Sequence, residues 1–244
     1  MDFIEDKFKL NEFCICGLHA CADLTVDAIN LFLKMEYARA IVIMPCCYHK
    51  ILQIDDGVFK NFPMSNCFKT TFKRCNAILN VPFLRLAAQP PNISRDKMED
   101  LVFFLLARAT LQKYAHEHNL TLKRKKRKAV RFNAKENDFS SYVKDAIENG
   151  FSFICNGNVE CTENKYHHFD IEKIWFFWRQ NSSLTFQKAA IFIALQNNLQ
   201  QVVENCILYD RLLYLKEKGI INCEFKKIVN EKISPRCFAL IAKK

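Results

Sequence analysis

At 244 residues, with 50% hydrophobic and 13% aromatic content, the chain can form one large domain or two small ones around a real core, which excludes disorder throughout. Its formal charge of +10 favours a polyanionic partner such as RNA, although a basic surface also occurs on proteins that bind none. Met1 to Lys7 lack the charged start and apolar run of a signal peptide, so the twelve cysteines read as reduced thiols; no apolar run spans a bilayer.

These features describe a soluble intracellular protein, cytoplasmic and/or nuclear, with no membrane partner. Phe13 to Leu18 is expected to be a buried strand. Thr25 then reads as an N-cap, with Asp27 in the first turn and Ala28, Leu31, Phe32 and Met35 at helical spacing. Ala40 to Met44 is a second β-branched run, giving a parallel strand, helix, strand unit with a right-handed crossover. A parallel sheet puts the carboxyl ends of its strands on one edge, where ligands bind. His19, Cys21 and Asp23 are therefore expected beside Cys46, Tyr48 and His49.

From Asp55 to about Ser183 the pattern becomes helical and irregular, broken at Asn61-Phe62-Pro63 and Gln89-Pro90-Pro91-Asn92. Asp100 to His118 predicts an amphipathic helix. The basic run Lys123-Arg124-Lys125-Lys126-Arg127-Lys128 separates it from a shorter helix around Ser140 to Asn149, closed by Gly150. Such a run is ordinarily a solvated linker; its sharper readings are a nuclear localisation signal or an RNA contact, made to phosphates because no aromatic residue interrupts it. Ile171, Ile174, Trp175 and Trp178 predict a short helix whose tryptophans pack internally. In the longest helix, Leu195, Leu199, Val202, Cys206, Tyr209 and Leu213 form a stripe expected to pack on the sheet, and Gly219 lies past the last turn. Cys223 to Val229 and Arg236 to Ile241 read as two strands joined by a short turn at Ser234-Pro235.

Cys14, Cys16, His19 and Cys21, with Cys46, Cys47 and His49, are residue types that bind zinc. Structural zinc sites usually draw two ligands from a C-x2-C turn, whereas Cys14 and Cys16 lie within a strand and are expected on one buried face as core thiols. No metal ligand is assigned on this basis. Nothing in the sequence marks Cys46 or Cys47 as an activated nucleophile.

The block Gly17-Leu18-His19-Ala20-Cys21-Ala22-Asp23-Leu24 resembles the GLHxCGDL block of the methyltransferase-like twenty-five family, also described as ribosomal RNA adenine dimethylase domain-containing proteins. Cys46-Cys47-Tyr48-His49-Lys50 resembles its CCYHK block, and Phe62-Pro63-Met64-Ser65 its FPLS. The segments 210–219 and 234–242 also look like family blocks, while the resemblance is weak from about Asp96 to Ser183. Two departures stand out: Ala22 replaces a glycine, and Pro45 stands where a small residue is usual. Ala22 would be strained if that position needs a positive φ.

This resemblance implies an α/β fold, a partial Rossmann-like class I methyltransferase sheet containing strands 4, 5, 7 and 6 of the order 3, 2, 1, 4, 5, 7, 6, with a helical insert. It implies one incomplete domain over 1–244: a strand-helix-strand core at 1–54, a mainly helical insert at 55–183, and a long helix with a terminal β-hairpin at 184–244. The implied cofactor is S-adenosylmethionine. The chain's five glycines include no G-x-G turn to receive it, so binding by this chain alone is expected to be weak or absent.

In a complete domain, His19 and Asp23 would line the transfer pocket, Cys46, Tyr48 and His49 would shape the acceptor side, and His49 would serve as base. A similar paired pattern in a family of tRNA ribose methyltransferases, with the positive charge, points by analogy to RNA as acceptor. The leading expectation is a truncated methyltransferase chain. The alternative is a non-catalytic binding or scaffold protein that uses its exposed strand edge, for a protein partner, or its basic linker.

Overall fold

The computed structural model describes residues 12–76, 79–90, 93–125, 139–155, 170–231 and 233–244, arranged as two compact units. The first comprises residues 1–92 and 196–244, and the second residues 93–195.

In the first unit, β1 (Phe13–Cys21) and β2 (Ala38–Cys46) lie parallel, connected by α1 (Asp23–Lys34). β8 (Phe238–Lys243) runs antiparallel beside β2, and β7 (Cys223–Lys227) antiparallel beside β8, giving the order β1-β2-β8-β7. Ile41 and Ile43 are buried because β2 has neighbours on both sides; they pack with Ile29 and Phe32 of α1, Leu215 and Leu240. Each such side chain contributes about 1.5–3 kcal/mol by leaving water.

Both parallel strands run farther than their apolar stretches suggest, because pairing continues through Cys21 and Cys46. α1 therefore starts abruptly at Asp23, with Ala22 as its N-cap residue and no side-chain cap. Thr25 is not the cap: it is buried inside the helix and its hydroxyl donates to the Ala20 carbonyl at 2.6 Å.

β1 corrects a second expectation. It is the edge strand, so Phe13, Ile15 and Gly17 are half-buried while Cys14, Cys16 and Leu18 are exposed. Cys14 and Cys16 do share a face, but that face is open, and they are not core thiols.

The hairpin of β3 (Gln53–Asp55) and β4 (Val58–Phe59), α2 (Asn66–Arg74) and α3 (Val81–Ala87) also belong to the first unit, although residues 55–92 were expected in the insert. The reason is apolar packing: Phe59, Phe62, Leu79 and Leu84 join a core with Val203, Ile207 and Leu208 of α7 (Ser183–Glu217). Along α7 the expected stripe is the wrong face. Leu195, Leu199, Val202 and Tyr209 are exposed, and the buried side carries Gln200, Val203, Glu204, Ile207, Leu208, Asp210, Arg211 and Leu215. Four of these are polar, so apolar periodicity does not reveal the true face. Gly219 adopts φ +86° past the helix end, where the Ile220 amide reaches back to Leu215. β7 and β8 are joined by residues 228–237, a longer link than a tight turn.

The second unit contains α4 (Arg95–Glu117), α5 (Phe139–Asp145) leading into a π turn at Ala146–Gly150, α6 (Ile171–Arg179) and the start of α7. It also contains an antiparallel pair, β5 (Leu120–Arg124) and β6 (Phe151–Cys155). Phe103, Leu111, Tyr114, Phe139, Tyr142, Phe153 and Ile174 form its core, and Trp178 stacks on Phe139 at 4.2 Å. The basic run begins in β5 rather than in a linker. Lys125 donates to the Ile147 and Glu148 carbonyls, which holds its ammonium against the π turn; Lys126, Arg127 and Lys128 lie outside the described residues.

Candidate functional site

The carboxyl ends of β1 and β2 form one corner of the first unit, with Cys21 directly opposite Cys46. Three residues there other than glycine adopt left-handed backbone: His19 at φ 56°, Ala22 at φ 50° and Cys47 at φ 52°. Each has a local cause. A register shift between Gly17 and Ala20 lifts His19 out of the ladder and leaves it exposed. Ala22 turns the chain from strand into helix while its amide donates to the Cys46 carbonyl at 2.9 Å. Cys47 turns the chain from β2 into a single 3-10 turn at Tyr48–Lys50.

These turns gather three thiols. The Cys21 Sγ lies 3.1 Å from the Cys46 Sγ and 3.6 Å from the Cys47 Sγ, and the three ligand atoms all lie within 4.8 Å of one another. The Cys21 thiol is lowered below the ordinary value, first by its hydrogen bond with Cys46, while burial pushes the Cys46 thiol up. Neither His19 nor His49 is a member of this cluster.

Asp23, at the start of α1, accepts from the Leu52 amide at 2.9 Å and the Asn61 side-chain amide at 2.7 Å. Its carboxylate thereby ties α1 to the chain that follows the 3-10 turn. Tyr48 points inward: it is buried, and its hydroxyl donates to Glu204 at 3.0 Å. Burial, with Glu204 beside it, raises the phenol well above its usual value. Glu204 also receives Arg236 and Gln200, and Arg236 donates to the Ala87 and Gln89 carbonyls. His49 is half-buried, with Nδ1 buried and unpartnered among the described residues. Its imidazole is lowered from the ordinary value, first by burial, then by Arg85 and Lys50.

Of the five residues singled out from the sequence, Cys46 lies in the thiol cluster, Asp23 and Tyr48 make structural hydrogen bonds, His49 adjoins the cluster in sequence, and His19 is exposed. Sequence reasoning did not single out the buried polar layer beneath: Gln200, Glu204, Asp210, Arg211 and Arg236. Its sequence signals are the i, i+4 pair Gln200 and Glu204, hydrogen-bonded at 2.9 Å on one helix face, and the place of Asp210, Arg211 and Arg236 in the segments 210–219 and 234–242 that look like family blocks.

Residues 4–53, which contain this corner, match a family model described as a methyltransferase domain. Over its whole length the chain is 25% identical to the probable methyltransferase-like protein 25 of Mus musculus and to that of Homo sapiens. It covers 39% of the mouse protein and 38% of the human one, so the chain spans about two fifths of the length of these curated relatives. No solved structure matches.

The usual cofactor of a methyltransferase domain is S-adenosylmethionine. The described residues do not provide its customary cradle. Gly17 lies inside β1, Gly57 in the β3–β4 turn, Gly150 at the end of the π turn and Gly219 after α7, so none opens a helix after a parallel strand. At the one such junction, between β1 and α1, Ala22 occupies the turn and the Asp23 carboxylate occupies the helix start.

Proposed function

We propose that this chain forms the acceptor-side half of a class I, S-adenosylmethionine-dependent methyltransferase domain, with RNA as the methyl acceptor. The observation that carries this reading is the sheet order β1-β2-β8-β7, with β8 antiparallel between two strands of common direction. This order agrees with strands 4, 5, 7, 6 of the class I plan and supports reading β1 as strand four and β2 as strand five. The matching domain model and the two relatives support the class, and the +10 charge supports a polyanionic acceptor.

In this reading the chain does not hold the cofactor by itself. His19 and Asp23 line the transfer pocket, Cys46 and Tyr48 shape the acceptor side from beneath, and the His49 imidazole serves as the base that takes the acceptor's proton. Calorimetry of the full chain with S-adenosylmethionine is expected to show no measurable heat. Single-stranded RNA is expected to be retained at low salt and released as salt rises. Cofactor binding by this chain alone overturns the divided site, and failure to retain RNA overturns the acceptor assignment.

One observation favours a second reading, a non-catalytic scaffold in the same compartments, cytoplasmic and/or nuclear. Among the described residues no strand pairs with the outer edge of β1, and an apolar groove of about 600 Å³ runs between β1 and α1, lined by Ile15, Leu18, Leu24 and Leu31. A protein strand added at that edge would complete the sheet. Transfer of labelled methyl groups to RNA by this chain excludes that reading and the divided site together.

A further inference from the structure

We propose that Cys21, Cys46 and Cys47 form a trithiolate site for one thiophilic metal ion, zinc(II) being the ion whose dimensions fit. The site does not depend on the methyltransferase reading.

Its geometry rests on two backbone facts. Cys21 and Cys46 face each other in register on parallel strands, so their side chains leave the same face of the sheet. In a continuing strand Cys47 would point to the opposite face. It joins the other two because its backbone adopts φ 52° and ψ 41°, a left-handed conformation that is strained for a residue with a Cβ. The strained residue is thus the one that supplies the third sulfur.

The spacing agrees with a metal. Zinc–sulfur bonds of about 2.3 Å in a tetrahedral site place sulfurs about 3.8 Å apart. The separations of 3.1 and 3.6 Å fall a little short of that value and all three sulfurs lie within 4.8 Å of one another, so small side-chain rotations that open the set suffice. Cys46 is buried, whereas Cys21 and Cys47 are half-buried, which shields the sulfurs and leaves a path for an ion.

Binding replaces three S–H bonds with three Zn–S bonds and releases three protons, leaving a complex of net charge −1. The Lys50 ammonium, whose field already reaches Cys21, offsets that charge. With three protein ligands, the fourth tetrahedral position is left to solvent or an exogenous donor.

The test uses the full chain, reduced and freed of metal. One equivalent of cobalt(II) is expected to produce thiolate-to-cobalt charge-transfer absorption that saturates at one ion per chain and is displaced by zinc. Alkylation followed by peptide mapping is expected to show zinc protecting Cys21, Cys46 and Cys47, while the exposed Cys14 and Cys16 react equally with and without it. Because that mapping uses the unaltered protein, it stands even if a variant fails to fold. Cys47→Ser should weaken binding by more than the about 100-fold that loss of an outer partner costs, and Cys16→Ser should leave it unchanged. Absence of charge-transfer absorption at stoichiometric cobalt overturns the site. So does protection centred on Cys14 and Cys16, or a Cys21–Cys46 disulfide whose reduction restores no metal uptake.

Discussion

The Asp210 carboxylate of α7 accepts both the amide and the hydroxyl of Ser65, at 2.9 and 2.7 Å, across 145 positions of sequence. It also accepts the Met64 amide at 2.8 Å and the Arg211 guanidinium at 3.0 Å, and Arg211 is itself only 1% exposed. This joins the Phe62–Ser65 segment to the long helix, and Glu217 repeats the device one stage on by accepting from the Asn66 and Cys67 amides.

Replacing Asp210 with alanine leaves the Arg211 charge buried without its carboxylate and removes the partner of two amides. Asp210→Ala should cost about 3–5 kcal/mol, read as a lower urea midpoint at an unchanged slope. Ser65→Ala removes one hydroxyl that both donates to Asp210 and caps α2 through the Phe68 amide, and should cost about 1–2 kcal/mol.

Ala22 sits at φ 50° and ψ −119°, which only glycine adopts without strain. Ala22→Gly should therefore stabilise the first unit by about 1 kcal/mol, despite the greater freedom glycine gives the unfolded chain. A rise in the thermal midpoint is the expected readout; a fall would show that the turn is relaxed with alanine.

The two faces of α7 should respond oppositely to substitution. Val202→Lys, on the exposed side, should change stability by no more than about 0.5 kcal/mol, whereas Ile207→Ala, on the buried side, should cost about 2–5 kcal/mol. Denaturant melts of the two variants side by side check this.

Tyr142 supplies a pH signature in the second unit. Burial pushes its phenol up to about 12, against about 10 in an unfolded chain. A raised acid favours the folded protein below the unfolded value, and that contribution is lost as the pH climbs from about 10 through 12. Tyr48 is raised as well, so phenolate absorbance should show late-titrating tyrosines of which Tyr142→Phe removes the one near pH 12, together with a shallower alkaline loss of stability.

Much of the scaffold was legible because its signals are local. An apolar run announced β1, a β-branched run announced β2, and Gly219 announced the end of α7. The parallel pairing that brings Cys21 to Cys46 followed from the strand-helix-strand pattern. The exposure of Cys14 and Cys16 did not, because a strand's own residues do not state whether a neighbour covers its second face. The buried side of α7 was hidden for a related reason. Glu204, Asp210 and Arg211 look like solvent-facing residues until Tyr48, Arg236, Ser65 and Met64 arrive from distant segments to satisfy them. The convergence of Cys47 on its two neighbours depends on one left-handed residue, which no spacing rule anticipates.

The first unit is interrupted in sequence, with residues 93–195 lying between its two parts. During synthesis β1, α1 and β2 emerge well before residues 238–243, so the inner flank of β2 waits for its pairing strand. The second unit is contiguous and has no such wait. Ile41 and Ile43 therefore stay without Leu240 until that late segment is made, a non-local contact of the kind that slows folding and leaves apolar surface exposed in the meantime.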